Sequence, residues 1–138
     1  MNTVIIDYDA GNVKSLQFAL ERLGVRAVLT NDRELIASAN RVIFPGQGSQ
    51  FVGMGKEFYN NFSYVKEYFK LADELLKKNL SKIILDGPKD ELDKTENTQP
   101  AIFLVSYSIF QVIKRETSFD IEKANFFAGH SLGELSLI

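Results

Sequence analysis

A three-layer α/β/α domain on a flavodoxin-like parallel sheet is the fold class this chain predicts, and three observations carry it. Strand-like and helix-like stretches alternate with short connections through residues 1–44, the rhythm of right-handed crossovers onto a parallel sheet. The chain has 138 residues, of which 45% are hydrophobic and 25% charged. That is enough to bury roughly two thirds of its unfolded surface around one core. Near the C-terminal end, Ala124-Asn125-Phe126-Phe127-Ala128 runs directly into Gly129-His130-Ser131-Leu132-Gly133, a buried strand feeding a tight glycine-flanked turn.

The elements follow in order. Residues 3–6 form a β-branched strand that ends at Asp7-Tyr8-Asp9-Ala10-Gly11. Gly11 or Asn12 can cap a helix whose apolar positions Val13, Leu16, Leu20 and Leu23 recur at helical spacing, and Gly24 stops it. Residues 25–29 read as the second strand. Residues 32–39 read as a short helix capped by Asn31 or Asp32, and residues 41–44 as the third strand, broken by Pro45-Gly46. Residues 54–78 then show a helical aromatic stripe through Phe58, Phe62, Val65, Phe69, Ala72 and Leu76. Residues 80–85 could be a strand or a short helix; the Asp86-Gly87-Pro88 break and the acidic start after it favour a helix, a turn and a second helix. Residues 86–99 form the most polar stretch and are expected to be the most mobile. Pro100 is placed in the first turn of a long apolar helix reaching Lys114, where its missing N–H costs nothing. Residues 125–128 complete a sheet of about four parallel strands. The whole of 1–138 is read as one domain.

Composition excludes several classes. The formal net charge is −2, with Lys and Arg dispersed among Asp and Glu, so neither a nucleic-acid groove nor a polybasic membrane face is expected. There is no cysteine, which removes disulfides, thiolate metal sites and a cysteine nucleophile. No signal peptide or membrane-length apolar run is read, and the expected location is cytoplasmic. No cofactor is expected. Asp7 and Asp9 read as turn caps rather than a metal site, and Gly46-Gln47-Gly48 does not match a dinucleotide fingerprint.

The chemistry centres on Ser131. A strand ending in a strained turn lifts a serine Oγ out of the sheet, and the following helix presents its N-terminus to developing negative charge. Glycine on either side relieves the crowding a Cβ would cause. The hydroxyl still needs a positioned base. His130 is the one histidine in the sequence; neighbours on a tight turn diverge, so it is a weak candidate for that base and a better one for the pocket wall.

Two known families are resembled by different parts of the chain. Ile5-Ile6-Asp7-Tyr8-Asp9-Ala10-Gly11-Asn12 and Leu20-Glu21-Arg22-Leu23-Gly24 resemble the start of the glutamine amidotransferase subunit of imidazole glycerol phosphate synthase. Phe44-Pro45-Gly46-Gln47-Gly48-Ser49-Gln50, Gly53-Met54-Gly55, Thr95-Glu96-Asn97-Thr98-Gln99-Pro100-Ala101 and Gly129-His130-Ser131-Leu132-Gly133-Glu134 resemble the N-terminal part of malonyl-CoA:acyl-carrier-protein transacylase. Both families carry a strand followed by Pro-Gly-x-Gly at the junction. Together the resemblances imply an engineered chimera, with residues 1–44 amidotransferase-like and residues 45–138 transacylase-like.

The second resemblance implies attack of Ser131 on a malonyl thioester, with the backbone N–H groups of Gln47 and Leu132 as oxyanion donors. The family also needs a carboxylate-binding arginine and a distant general-base histidine, which the resemblance places beyond residue 138. The expected function is therefore an incomplete transacylase half-site with little or no catalysis. One rival is a serine acyltransferase completed by another chain; the other is an amidotransferase-type interaction module. The partners implied are malonyl-CoA or acyl carrier protein. The apolar end Leu135-Ser136-Leu137-Ile138 suggests homodimerisation.

Overall fold

In the computed structural model, residues 2–7, 13–118 and 120 are described. Strand β1 (Thr3–Ile6) leads to helix α1 (Val13–Arg22), then β2 (Ala27–Thr30), α2 (Arg33–Ala37) and β3 (Arg41–Ile43). The remainder is helical: α3 (Lys56–Asn61), α4 (Ser63–Leu76), α5 (Leu80–Asp86), α6 (Lys89–Leu92) and α7 (Thr95–Glu116). The α/β class holds. Among the described residues the sheet has three parallel strands in the order β2-β1-β3. The expected fourth strand, 125–128, and the expected caps at Gly11 and Asn12 lie outside the described residues.

β1 is central because Val4, Ile5 and Ile6 are apolar on both faces, and all three are fully buried, the pattern of a covered parallel strand. Its register runs Thr3↔Ala27 on one side and Thr3↔Arg41 on the other. The chain steps from β1 to β2 in one direction and from β2 back across β1 to β3 in the other. Right-handed crossovers therefore put α1 and α2 on opposite faces. α1 packs on β2, while α2 packs on both β1 and α7.

Local chemistry sets the boundaries. At the end of α1, Gly24 N–H donates to the Glu21 carbonyl and Val25 N–H to the Leu20 carbonyl, each at 2.9 Å, with Gly24 at φ +73°. This left-handed cap consumes Gly24 and Val25, so β2 starts at Ala27 rather than Val25. Asp32 caps α2, its carboxylate accepting from Glu34 and Leu35 N–H. The stretch expected as one helix over 54–78 is instead two, because Phe62 adopts extended backbone (φ −125°, ψ 117°) between α3 and α4. Of its aromatic stripe, Val65 and Phe69 are buried and Leu76 is exposed. Both helices pack against α7.

α7 is the hub of the helical half. It contacts α2, α3, α4, α5 and α6, and Ala101, Ile102, Leu104, Val105, Ile109, Val112 and Ile113 are buried along it. It begins at Thr95, not at Pro100. The polar stretch before it is helical as well, because Leu92 is fully buried and its polar neighbours find partners. Asn97 Nδ2 donates to the Glu91 carbonyl at 2.7 Å and Thr98 Oγ1 to the Leu92 carbonyl at 2.5 Å.

Pro100 therefore sits inside α7 and withholds the N–H that the Glu96 carbonyl would accept. Lys78 replaces it: Nζ donates to Glu96 O at 2.9 Å and to Asn97 Oδ1 at 2.5 Å. Lys78→Ala should cost about 1–2 kcal/mol, the range for hydrogen bonds from a partly exposed charged donor. In a Pro100→Ala background, where Glu96 regains a backbone partner, urea unfolding should show a smaller cost. Equal costs in both backgrounds would contradict this compensation.

Candidate functional site

The strand order reverses at β1, so the C-terminal ends of β1 and β3 lie side by side where α/β sheets open a crevice. The loop that leaves β3 there is the Gln47 loop. Its first residues, Phe44, Pro45 and Gly46, are buried, which anchors the strand exit. The turn closes when Ser49 Oγ donates to the Gly46 carbonyl at 2.6 Å and Ser49 N–H donates to the same oxygen at 3.2 Å. Gly48 stands at φ +94°, a conformation that favours glycine. Its N–H donates to Gln50 Oε1 at 2.9 Å.

Gln47 itself is exposed. Among the described residues nothing accepts from its backbone N–H, while the N–H groups of Gly48 and Ser49 are both engaged. The turn thus leaves the amide expected to hold an oxyanion unclaimed. A crevice of about 250 Å³ lies against it, lined by Val13, Ser15, Leu16 and Ala19 of α1 and by Pro45, Gly46, Gln47 and Ser49. A larger, open groove of about 630 Å³ between the start of α2 and the end of α7 contains none of the loop residues.

Downstream the loop is tied to the helical half. Gln50 Nε2 donates to Asp93 Oδ1 at 3.2 Å, and Lys89 pairs with the other carboxylate oxygen. Lys89 first, and Gln50 second, hold the Asp93 carboxyl below the usual carboxylate range. Gly53 N–H donates to the Ile84 carbonyl at 2.7 Å. Gly55, at φ +73°, lies so close to α7 that a Cβ would meet the Val105 side chain at 3.2 Å. Met54, between these glycines, is fully buried.

Of the sequence-predicted site residues, Gln47 falls at the crevice. Ser131, Leu132 and His130 lie outside the described residues, as does Asp9. Asp7 directly follows β1, its N–H donating to the Thr30 carbonyl. Among the described residues no group of three or more His, Cys, Asp or Glu could hold a metal. None of their helices is long and apolar enough to cross a membrane. Sequence reading missed Gln50, Asp93 and Lys89. Gln50 had a local signal, a side-chain amide two residues beyond a glycine turn rich in N–H groups; Asp93 had none.

Comparison with known proteins places residues 42–137 on the family model of the acyl transferase domain. The chain is 47% identical over 96 residues to a malonyl CoA-acyl carrier protein transacylase of Bacillus subtilis, covering 70% of this chain and 23% of that one. The crystal structure of the acyl-carrier-protein S-malonyltransferase from Bartonella henselae matches with a TM-score of 0.63 and 43% identity, over 69% of this chain and 30% of the other. A malonyl-transacylase solved in complex with a type II polyketide acyl carrier protein matches with a TM-score of 0.62 and 38% identity, over 69% of this chain and 30% of that one. The chain spans about a quarter to a third of the length of these relatives.

The matched segment begins inside β3 and runs at once into the Gln47 loop, whose outer tie depends on an ionised Asp93. Because that carboxyl is depressed, the tie and whatever stability it contributes persist above the ordinary carboxylate range. They are lost only as pH falls through the depressed value. The Gly48 amide resonance should hold its position from neutral pH into mild acid and move only below the usual titration range of aspartate. Movement already at mildly acidic pH would show that the tie is absent.

Proposed function

We propose that this chain, which belongs to the acyl transferase domain family, carries the serine-elbow and oxyanion half of a malonyl-CoA:acyl-carrier-protein transacylase site. The Gln47 N–H, without an acceptor among the described residues, belongs to a residue that lines the crevice beside α1, and that is the observation that carries this reading. Ser131 Oγ attacks the thioester carbonyl carbon and gives its proton to a base. The tetrahedral oxygen is held by the N–H groups of Gln47 and Leu132. Collapse breaks the carbon–sulfur bond, coenzyme A leaves as its thiol on taking up the proton, and an acyl-serine remains. The thiol of an acyl carrier protein then accepts the acyl group.

None of the described residues is a histidine, and His130, adjacent in sequence to the nucleophile, is a weak candidate for the base. These 138 residues alone are therefore expected to transfer slowly, through donors and binding more than through a base. A base and a carboxylate-binding arginine supplied from outside these residues would raise the rate.

A second reading concerns ancestry. The family match begins inside β3, so β1, α1, β2 and α2 lie upstream of it. Their motifs support a chimeric chain whose first 44 residues are amidotransferase-like. Together with the transacylase-like segment they form one domain, in which β1 and β3 share a ladder. If that upstream unit carries an amidotransferase-type interaction surface, the cyclase subunit of imidazole glycerol phosphate synthase, the partner of the amidotransferase it resembles, should bind the chain in a titration; no heat of binding would remove the interaction-module reading.

The acyl-transfer reading is tested by incubation with malonyl-CoA followed by intact-mass and peptide analysis. One malonyl adduct on Ser131 is expected, and none on the Ser131→Ala variant. Gln47→Ala keeps the backbone donor and should acylate at a rate within about twofold of the parent chain. Gln47→Pro deletes the donor and should be slower by about 100-fold or more. A folded sample that forms no adduct, or an adduct that survives Ser131→Ala, would overturn the assignment.

A further inference from the structure

We propose that Gln50 is a positioning residue for the oxyanion loop, selecting which backbone N–H of the turn is offered to the reacting carbonyl; this rests on the acyl-transfer reading above. Three successive amides compete in the turn that follows β3. Ser49 N–H is taken by the Gly46 carbonyl. Gly48 N–H is taken by Gln50 Oε1 at 2.9 Å. Gln47 N–H alone of these three has no acceptor among the described residues.

The Gln50 side chain works at both ends. Its oxygen removes Gly48 from the competition, and its nitrogen fastens the turn to Asp93 at 3.2 Å. Lys89 on α6 pairs with the far oxygen of that carboxylate. The carboxylate is thus held between a cation and an amide and presents one oxygen to Gln50. A glycine at φ +94° imposes little torsional resistance of its own, so peptide planes beside it can rotate unless something fixes them. Donors contribute to an oxyanion transition state only when held in place before charge develops. Gln50 touches neither thioester nor nucleophile in this scheme and acts through the Gly48 peptide.

Donor and acceptor can be exchanged across this tie, which gives a test that a merely structural role would not satisfy. Gln50→Ala removes both ends. Gln50→Glu keeps an acceptor for Gly48 but sets a carboxylate against Asp93. Gln50→Glu combined with Asp93→Asn restores a donor–acceptor pair with its direction reversed. Acylation of Ser131 by malonyl-CoA, followed by rapid quench and intact mass, should slow on the order of 10-fold to 100-fold at saturation in Gln50→Ala. The half-saturating concentration should change little. Gln50→Glu should also be slow, and the double variant should recover most of the rate. Parent-like acylation by Gln50→Ala, or a double variant no faster than Gln50→Glu, overturns the proposal.

Failure of the parent chain to acylate sinks the Ser131 reading instead, and amide exchange then decides the loop. Faster exchange at Gly48 in Gln50→Ala, with Gly53 unchanged as an internal control, sustains the positioning role. Unchanged exchange at Gly48 removes it.

Discussion

The hydrogen-bonded ladder between β1 and β3 is the constraint on which the rest of this molecule depends. It joins a unit that lies upstream of the family match to the strand where that match begins, and it does so in a register fixed at Thr3↔Arg41, Val4↔Val42 and Ile5↔Ile43. A parallel pair of this kind cannot slip by one residue without turning Val4 and Ile6 onto the face now held by Ile5. All three are buried, so the cost of slippage falls on the core itself. The ladder also delivers Phe44, Pro45 and Gly46 to the sheet's C-terminal end, which is where an anion-stabilising turn is useful.

Behind that turn stands α7, and the helical half is organised to keep it buried despite the polar groups it carries. Buried polar groups on such a helix cost stability unless partnered, and along α7 most of them are, although the fully buried Ser106 hydroxyl has no hydrogen-bond partner among the described residues. Ser108 satisfies its hydroxyl within the helix, at the Leu104 carbonyl. Asn97 and Thr98 reach back to α6, and Lys78 closes the carbonyl that Pro100 leaves open. At the far end, aromatic rings of α4 and α7 meet edge to face, Tyr68 against Tyr107 at 5.3 Å. Arg115 lies 4.3 Å over the Tyr64 ring, and burial, then the Glu116 carboxylate, push the Tyr64 phenol up to about 12.

The parts of this architecture legible in the sequence are those set by near neighbours. β1, the Asp32 cap and the Gly24 stop each follow from a few adjacent residues, and each is present. The Gln47 turn was legible for the same reason, since Pro45, Gly46 and Gly48 announce it locally. Errors arose where distant contacts overrode local pattern. In residues 86–99 the helix after the Asp86-Gly87-Pro88 break is legible, but the polar composition suggests mobility and hides the contacts that hold the stretch: Leu92 inserts fully, and Asn97 and Thr98 are satisfied by backbone six residues away. Pro100 looks like a helix start until Lys78 supplies the missing donor. Phe62 interrupts a periodicity that runs through it unchanged. The Gln50–Asp93 tie spans 43 residues, and no local periodicity could have revealed it. Ser131, the strongest sequence signal of all, lies outside the described residues.

The anchors of the Gln47 turn have a direction. Three of its ties run forward, to Ile84, Asp93 and Val105, whereas one wall of the adjoining crevice comes from α1, upstream. Shape and reactivity are thus encoded in separable stretches of polypeptide. Exchanging the leading βα unit for another of matching register would recontour the cavity while leaving the amide geometry intact, a natural route to diversifying what such a scaffold accepts.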